Sequence, residues 1–431
     1  MRILTSKEFK KAELDRVLNR GKSDISSILS TVRTIIHDVK REGDKALLRY
    51  TKKFDRTLLD QSKLRVSKDE IKQAYRKLET KQIAALKRAA ANIAKFHKKQ
   101  LRDKWTIQTA KGVTLGQVIR PLDSIGVYAP GGKAVYPSSV LMCAIPAKVA
   151  GVRNIVVCSP PRKGRKVNPA LLVAADIAGV DEFYRVGGVQ AIAALAYGTE
   201  TIQAVDKIVG PGNVYVTAAK LEVSGDVAID TPAGPSEVLI IADETANASY
   251  VAADLLAQSE HDPQAWAILL TTSMELASAV ENEIDLQVKS LSRINTIKSS
   301  LEKGGLIVTV QDIKEAIDLA NTIAPEHLQI QTKTPNRVLA KIRNAGAIFL
   351  GGHSPVSFGD YSSGLNHVLP TAGYARTYSG LSSLTFVKTI NFLKCSQEGY
   401  HSLKETALVI SKMEDFDAHA KAVSIREEKE K

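Results

Sequence analysis

Cysteine is scarce: Cys143, Cys158 and Cys395 are the only three in 431 residues, and no CxxC pair is among them. That argues against a disulfide framework and against a thiolate zinc site; buried thiols of this kind act as small hydrophobes. A nucleophilic cysteine that traps an aldehyde, as in aldehyde dehydrogenases, has no local signature here. Long hydrophobic runs are missing as well. No stretch of ~18 uncharged apolar residues occurs, so no transmembrane helix is expected. The opening MRILTSKEFKKAELDRV is charged throughout and has no apolar block ahead of a cleavage site, which does not read as a signal peptide. The expectation is a cytoplasmic protein. No GxGxxG follows any strand-like run, so a dinucleotide, if one binds, does so without the usual pyrophosphate fingerprint. Internal repeats and long low-complexity segments are lacking too, and only the final REEKEK looks frayed.

What is present is ordinary globular composition, 44% apolar and 24% charged, in a chain long enough for two or more domains. The net charge of +13 invites a nucleic-acid reading. Its distribution opposes one. Residues 1–120 hold 31 Lys/Arg against 13 Asp/Glu, an excess of 18 that exceeds the whole-chain value, so the remainder is slightly acidic. The basic part reads as helices with solvated faces, such as KQIAALKRAAANIAKFHKKQ, without aromatic interleaving or zinc-finger spacing.

Periodicity makes the first ~120 residues mostly helical. From Ser124 the texture changes to short β-branched runs, SIGVYAP, NIVVCSP, KIVG, EVLIIAD, WAILLTT, GLIVTV and AIFLG, separated by amphipathic stretches such as ASYVAADLLAQSE. The alternation predicts an α/β fold, with parallel sheets covered by helices on both faces. Ligands in such folds sit in the loops after the strands. Those loops are unusually specific here: YAPGGKAVYPSS, VGPGNVYV and DTPAGPSE.

Several residues are suited to chemistry. Gln258 and His261, in AQSEHDP, stand three apart at a helix end and share a face, although a polar cluster there serves equally as a cap. Glu326 and His327, in APEHLQI, are adjacent; extended backbone would point them to opposite sides, and a bend would let both reach one cavity. Asp360 and His367 fall in a Gly/Ser-rich loop, where an Asp is usually a turn former. Glu414 and His419 fall in a terminal helix whose simplest reading is a solvated face. Taken together, His261, Asp360 and His419 are donors of the right type for zinc, with a neutral oxygen from Gln258. Such a set would leave the ion net positive and able to polarise an alcohol or aldehyde oxygen. Spacing alone does not bring them together.

The segments GVYAPGGKAVYPSSVLMCAIPAKVAGV, AYGTETIQAVDKIVGPGNVYV, DTPAGPSEVLIIAD, AQSEHDP, APEHLQI, FGDYSSGLNHVLPT and DAHAKAV resemble those of the histidinol dehydrogenase family, in order and spacing from about residue 120 to 425. The stretches around GGHSPVSFGDYSSG and FVKTINFLKCSQEG drift from the family's wording without removing a functional position.

The resemblance implies two incomplete Rossmann-like lobes with parallel-rich sheets, an aldehyde-dehydrogenase-like architecture, and small helical terminal domains. The implied boundaries are an N-terminal helical arm (1–26), a first lobe (27–127 and 237–376), a second, NAD-contacting lobe (128–236) and a dimer-exchanged C-terminal segment (377–431). It implies zinc ligands at Gln258, His261, Asp360 and His419, a catalytic pair at Glu326 and His327, and dinucleotide contacts at Tyr128, Gln190 and Asn213. Substrate contacts fall on Ser236, His367 and Glu414, with His327 and the metal ligands beside them. One Zn2+ per subunit and two NAD+ per turnover would serve a homodimer whose sites are shared, Glu414 and His419 coming from the sister chain. The implied reaction takes L-histidinol through bound L-histidinal to L-histidine, with His327 as base on the hydroxyl and Glu326 activating water for the second oxidation. No nucleic-acid or membrane partner is expected. The rivals are a dehydrogenase of the same fold acting on another zinc-chelating alcohol, such as a sulfonated diol, and a nucleic-acid-binding protein that uses the basic first part.

Overall fold

The computed structural model describes residues 1–21, 25–131, 135–162, 164, 166–231 and 234–428. It divides into two compact units. One comprises 1–100 and 122–386, and the other 101–121 and 387–431.

The larger unit contains two sheets in which every pairing is parallel. The first has six strands in the order Arg2–Thr5, Gly305–Thr309, Trp266–Thr271, Glu237–Ala242, His327–Gln331, Ala347–Leu350. The second has five, Glu182–Tyr184, Asn154–Cys158, Ser124–Tyr128, Lys207–Val209, Ala228–Ile229. Central strands such as EVLIIA and WAILLT are buried at every position. Strands covered by helices on both faces must be apolar on both sides, and so read as continuous apolar runs rather than alternations. All seven runs foreseen as strands form strands.

Helices 26–98 do not join the six-stranded sheet, with which the sequence reading grouped 27–127. Ser26–Glu42 and Asp44–Phe54 bury Val32, Ile35, Val39 and Leu47 with Val156, Tyr184 and Ile208 on one face of the five-stranded sheet. Thr80–Lys98 contributes Ala90 and Ile93 to the core on the opposite face, with Ile125, Val127 and Val157. Periodicity reveals an apolar stripe but not the sheet that receives it. The other sides of these helices carry the basic residues: Lys81, Lys87, Arg88, Lys95 and Lys98 are exposed. The N-terminal arm is not wholly helical either, since Arg2–Thr5 adds an edge strand beside Gly305–Thr309.

The smaller unit holds an antiparallel three-stranded sheet, Val387–Cys395, Val113–Pro121, Trp105–Ala110, with two helices, Gln397–Met413 and Asp417–Glu428. The helical expectation for the first ~120 residues fails over 105–121, and the terminal region is not purely helical. These strands expose one or both faces, so their patterning is weak. No helix among the described residues is long and apolar enough to cross a membrane.

Candidate active site

The register of the six-stranded sheet aligns His327 with Val238, which places residues 326 and 327 beside the start of strand Glu237–Ala242. Helix Ile313–Ile323 ends at Ala324, whose left-handed backbone (φ 50°) turns the chain before the strand begins. The turn delivers both residues to the start of that strand. Glu326 Oε2 lies 3.4 Å from His327 Nδ1, and both side chains are buried.

Their orientation is set by Glu237. Its N–H donates to Glu326 Oε2 at 2.8 Å, its own Oε1 accepts the Glu326 N–H at 3.0 Å, and its carbonyl accepts from His327 Nδ1 at 2.9 Å. A carbonyl can only accept, so Nδ1 carries a proton and Nε2 is the nitrogen not committed to the backbone. Nε2 has no hydrogen-bond partner, is buried, and faces Asp360 Oδ1 at 3.9 Å. Burial opposes charge on this imidazole, but the Glu326 carboxylate, with Asp360 beyond, outweighs it and raises the pKa to about 9.

Asp360 lies in a short helix, Val356–Tyr361, rather than in the loop its glycines suggested. Its carbonyl accepts from His367 Nδ1 at 3.2 Å, and His367 Nε2 lies 3.1 Å from Ser139 Oγ. Burial holds His367 below its ordinary pKa, so Nε2 is free to accept the Ser139 hydroxyl. Gln258 lies in the last turn of helix Ala248–Ser259, and His261 follows it, its N–H donating to the Gln258 carbonyl at 3.3 Å. The Gln258 amide nitrogen is buried and unpartnered. One turn earlier Asp254 accepts from Gln329 Nε2 at 2.6 Å and Gln331 Nε2 at 3.3 Å, seating this helix on the face of strand His327–Gln331 that carries His327. Ser236 is half-buried and immediately precedes Glu237.

At the carboxyl ends of the five-stranded sheet, Tyr128 closes strand Ser124–Tyr128 and its hydroxyl accepts the Gly188 N–H at 3.1 Å. Burial pushes this phenol up to about 12. Gln190, two residues on, is buried with both amide atoms unpartnered. Asn213 is exposed, follows strand Lys207–Val209, and caps the next helix by accepting from the Tyr215 and Val216 N–H groups. Gly132–Ala134 of the YAPGGKAVYPSS loop and Pro232–Ala233 of DTPAGPSE lie outside the described residues.

Glu414 and His419 belong to the smaller unit and are exposed. They stand in a helix–turn–helix rather than one helix: Glu414 follows Gln397–Met413, and His419 lies in Asp417–Glu428 with its ring 5.1 Å from that of Phe416. Among the described residues no three His, Cys, Asp or Glu side chains group as a metal site. Gln258 and His261 share one helix end, and Asp360 lies 3.9 Å from His327 Nε2; an amide, an imidazole and a carboxylate are together a donor set whose chemistry fits a borderline cation. The orphaned Gln190 amide similarly fits a polar ligand group at the five-stranded sheet.

Sequence reasoning missed Arg20, Ser139, Glu237 and Asp254. Ser139 and Glu237 end the specific loops YAPGGKAVYPSS and DTPAGPSE, where neighbouring residues drew the attention, and for Arg20 and Asp254 a charge beside an apolar run was the available signal.

The family model for histidinol dehydrogenase matches residues 18–427. The chain is 50% identical to a histidinol dehydrogenase of Methanothermobacter thermautotrophicus, over 96% of this chain and 97% of that one. It is 49% identical to one of Methanocaldococcus jannaschii over 97% of each. A crystal structure of histidinol dehydrogenase from Elizabethkingia anophelis superposes with a TM-score of 0.95 at 42% identity, covering 99% of this chain and 98% of that one.

Proposed function

The chain belongs to the histidinol dehydrogenase family, and from that premise we propose that it oxidises L-histidinol through bound L-histidinal to L-histidine in two NAD-linked steps at a zinc site. The observation that carries the reading is the buried His327 imidazole, with Glu326 beside Nδ1 and an unpartnered Nε2 facing Asp360.

Gln258, His261 and Asp360, with His419 of a second copy, would hold the ion; Tyr128, Gln190 and Asn213 would hold the dinucleotide. When bound, zinc supplies Lewis acidity toward the amino alcohol and NAD+ accepts the hydride. The remaining work belongs to the chain. His327 takes the hydroxyl proton at Nε2, the nitrogen left free once Nδ1 is committed to the Glu237 carbonyl. A cation held at Asp360 would offset that carboxylate's upward pull on His327 and so favour its neutral, proton-accepting form. Glu326 keeps one oxygen on the Glu237 N–H and directs the other at the water that hydrates the aldehyde. Ser236, His367 and Glu414 hold the substrate's polar groups. The Ser139 contact fixes the His367 ring, so this residue positions rather than transfers a proton.

A homodimer with shared sites accounts for Glu414 and His419 standing on exposed helices. The smaller unit also exposes the large apolar side chains Trp105, Ile107, Ile390, Leu393, Met413 and Phe416, which a subunit interface would cover. Biosynthesis of histidine inside the cytoplasm is the setting that suits this chemistry.

The test supplies histidinol with excess NAD+ and counts NADH per substrate consumed. Two supports the full oxidation; one removes the second step. Chelation should abolish turnover, and Zn2+ should restore it. A fully active metal-free enzyme would remove the metal from the scheme.

A further inference from the structure

We propose that Arg20 and Glu237 are positioning residues for the Glu326–His327 pair, and that the N-terminal arm is thereby part of the catalytic apparatus. The inference rests on the reading of Glu326 and His327 as the catalytic pair.

Three backbone or side-chain groups of Glu237 hold that pair: its N–H on Glu326 Oε2, its Oε1 on the Glu326 N–H, and its carbonyl on His327 Nδ1. Glu237 is itself gripped by Arg20, whose guanidinium pairs with both carboxylate oxygens, Nη2 reaching Oε1 at 2.7 Å. The other Arg20 contacts go to the Val17 carbonyl at 2.8 Å and the Ile323 carbonyl at 2.9 Å. Ile323 closes the helix that leads into Glu326. One guanidinium therefore ties the arm, the strand bearing Glu237 and the approach to Glu326 into a single rigid joint.

All four side chains are buried. Two carboxylates facing each other away from water repel, and burial pushes Glu237 toward its neutral form. Arg20 opposes both effects and keeps Glu237 Oε1 an acceptor for the Glu326 amide. Without it the carboxylate turns away or takes a proton, and the amide, the Glu326 side chain and the His327 ring lose a common reference. The fork geometry suits arginine; a lysine presents only a point charge.

The arm cannot slide to compensate. Gly21 has φ +71°, and a Cβ there would lie 2.9 Å from Ala372 Cβ and 3.4 Å from Pro235 Cδ, so the arm's backbone rests directly on the loop that carries Ser236. That contact fixes where Arg20 enters.

The test compares Arg20→Met, Arg20→Lys and Glu237→Gln with wild type in steady-state oxidation of histidinol, below each variant's melting temperature. Misplacing a reacting group by about 1 Å costs on the order of 10²-fold, so kcat of Arg20→Met should fall by about that factor. KM for histidinol should stay within about threefold, because the substrate's own contacts remain. Arg20→Lys should recover part of the loss, and Glu237→Gln should lose at least ~10-fold in kcat. Glu237→Gln keeps the shape and both backbone contacts, so it decides the matter if Arg20→Met does not fold. Folded variants with wild-type kcat, or a loss confined to KM, would overturn the proposal. His327→Asn run alongside separates the two readings. If it is fully active, the catalytic pair is wrong. If it is inactive while Glu237→Gln behaves as wild type, the positioning role alone fails.

Discussion

Replacing Asp254 with asparagine should make the protein's stability less dependent on pH, by an amount the structure fixes. Asp254 is buried in helix Ala248–Ser259, and two glutamine amides satisfy one of its oxygens. Among the described residues no cation pairs with it within ion-pair distance. Burial raises its pKa to about 6, against the downward pull of Gln329 and Gln331. In the unfolded chain an aspartate titrates near 3.9, roughly two units lower, which is worth about 3 kcal/mol. Folding therefore takes up a proton between about pH 4 and 6. The stability this group contributes is fully present below pH ~4 and is lost as the pH rises through ~6, leaving the native state with a buried charge. The asparagine side chain would keep the shape and an acceptor oxygen for Gln329 but has no charge to bury. Urea titrations of both proteins from pH 4 to 7.5 give the comparison. Asp55, also raised to about 6 by burial, affects both proteins equally and cancels in the difference. The stability of Asp254→Asn relative to wild type should grow by up to about 3 kcal/mol between pH 4 and 7. A difference that is flat with pH would show that the carboxylate is neutralised by something absent from this account, and would refute the reasoning.

His327→Asn should lose on the order of 10²–10⁴ in turnover while keeping its metal, measured by kinetics alongside metal analysis. Subunits carrying His327→Asn or His419→Ala should each be inactive alone. If sites are shared, unfolding and refolding an equal mixture should restore about a quarter of wild-type activity, since half the dimers then hold one intact site; no recovery would place both residues in one chain's site. Gly210→Ala should destabilise the protein by at least ~2 kcal/mol and raise KM for NAD+, because Gly210 has φ +112° and an added Cβ would lie 2.3 Å from the Tyr128 carbonyl oxygen. Thermal melts and NAD+ titration read both effects.

The α/β class follows from the order of residues alone, since strands buried on both faces have to be written as near-continuous apolar runs, and 238–242 and 266–270 are. Glu326, His327, Gln258, His261 and Asp360 are legible as a set only through the family-like wording of APEHLQI, AQSEHDP and FGDYSSG, because taken singly a helix-end polar pair serves as a cap and an Asp among glycines as a turn former. Nothing in the chain's text says that helices 26–98 cover the five-stranded sheet, or that 105–121 forms antiparallel strands, since amphipathicity names a buried face without naming its partner. Only the folded chain fixes Glu326 and His327 against each other: the strand register sets both beside Glu237, whose N–H, carboxylate and carbonyl hold them, and register leaves no mark on local composition. The same holds for Arg20, 217 residues from Glu237 in the chain and hydrogen-bonded to it in space. Contacts of that range depend on the whole topology, and that is why no local reading reached them.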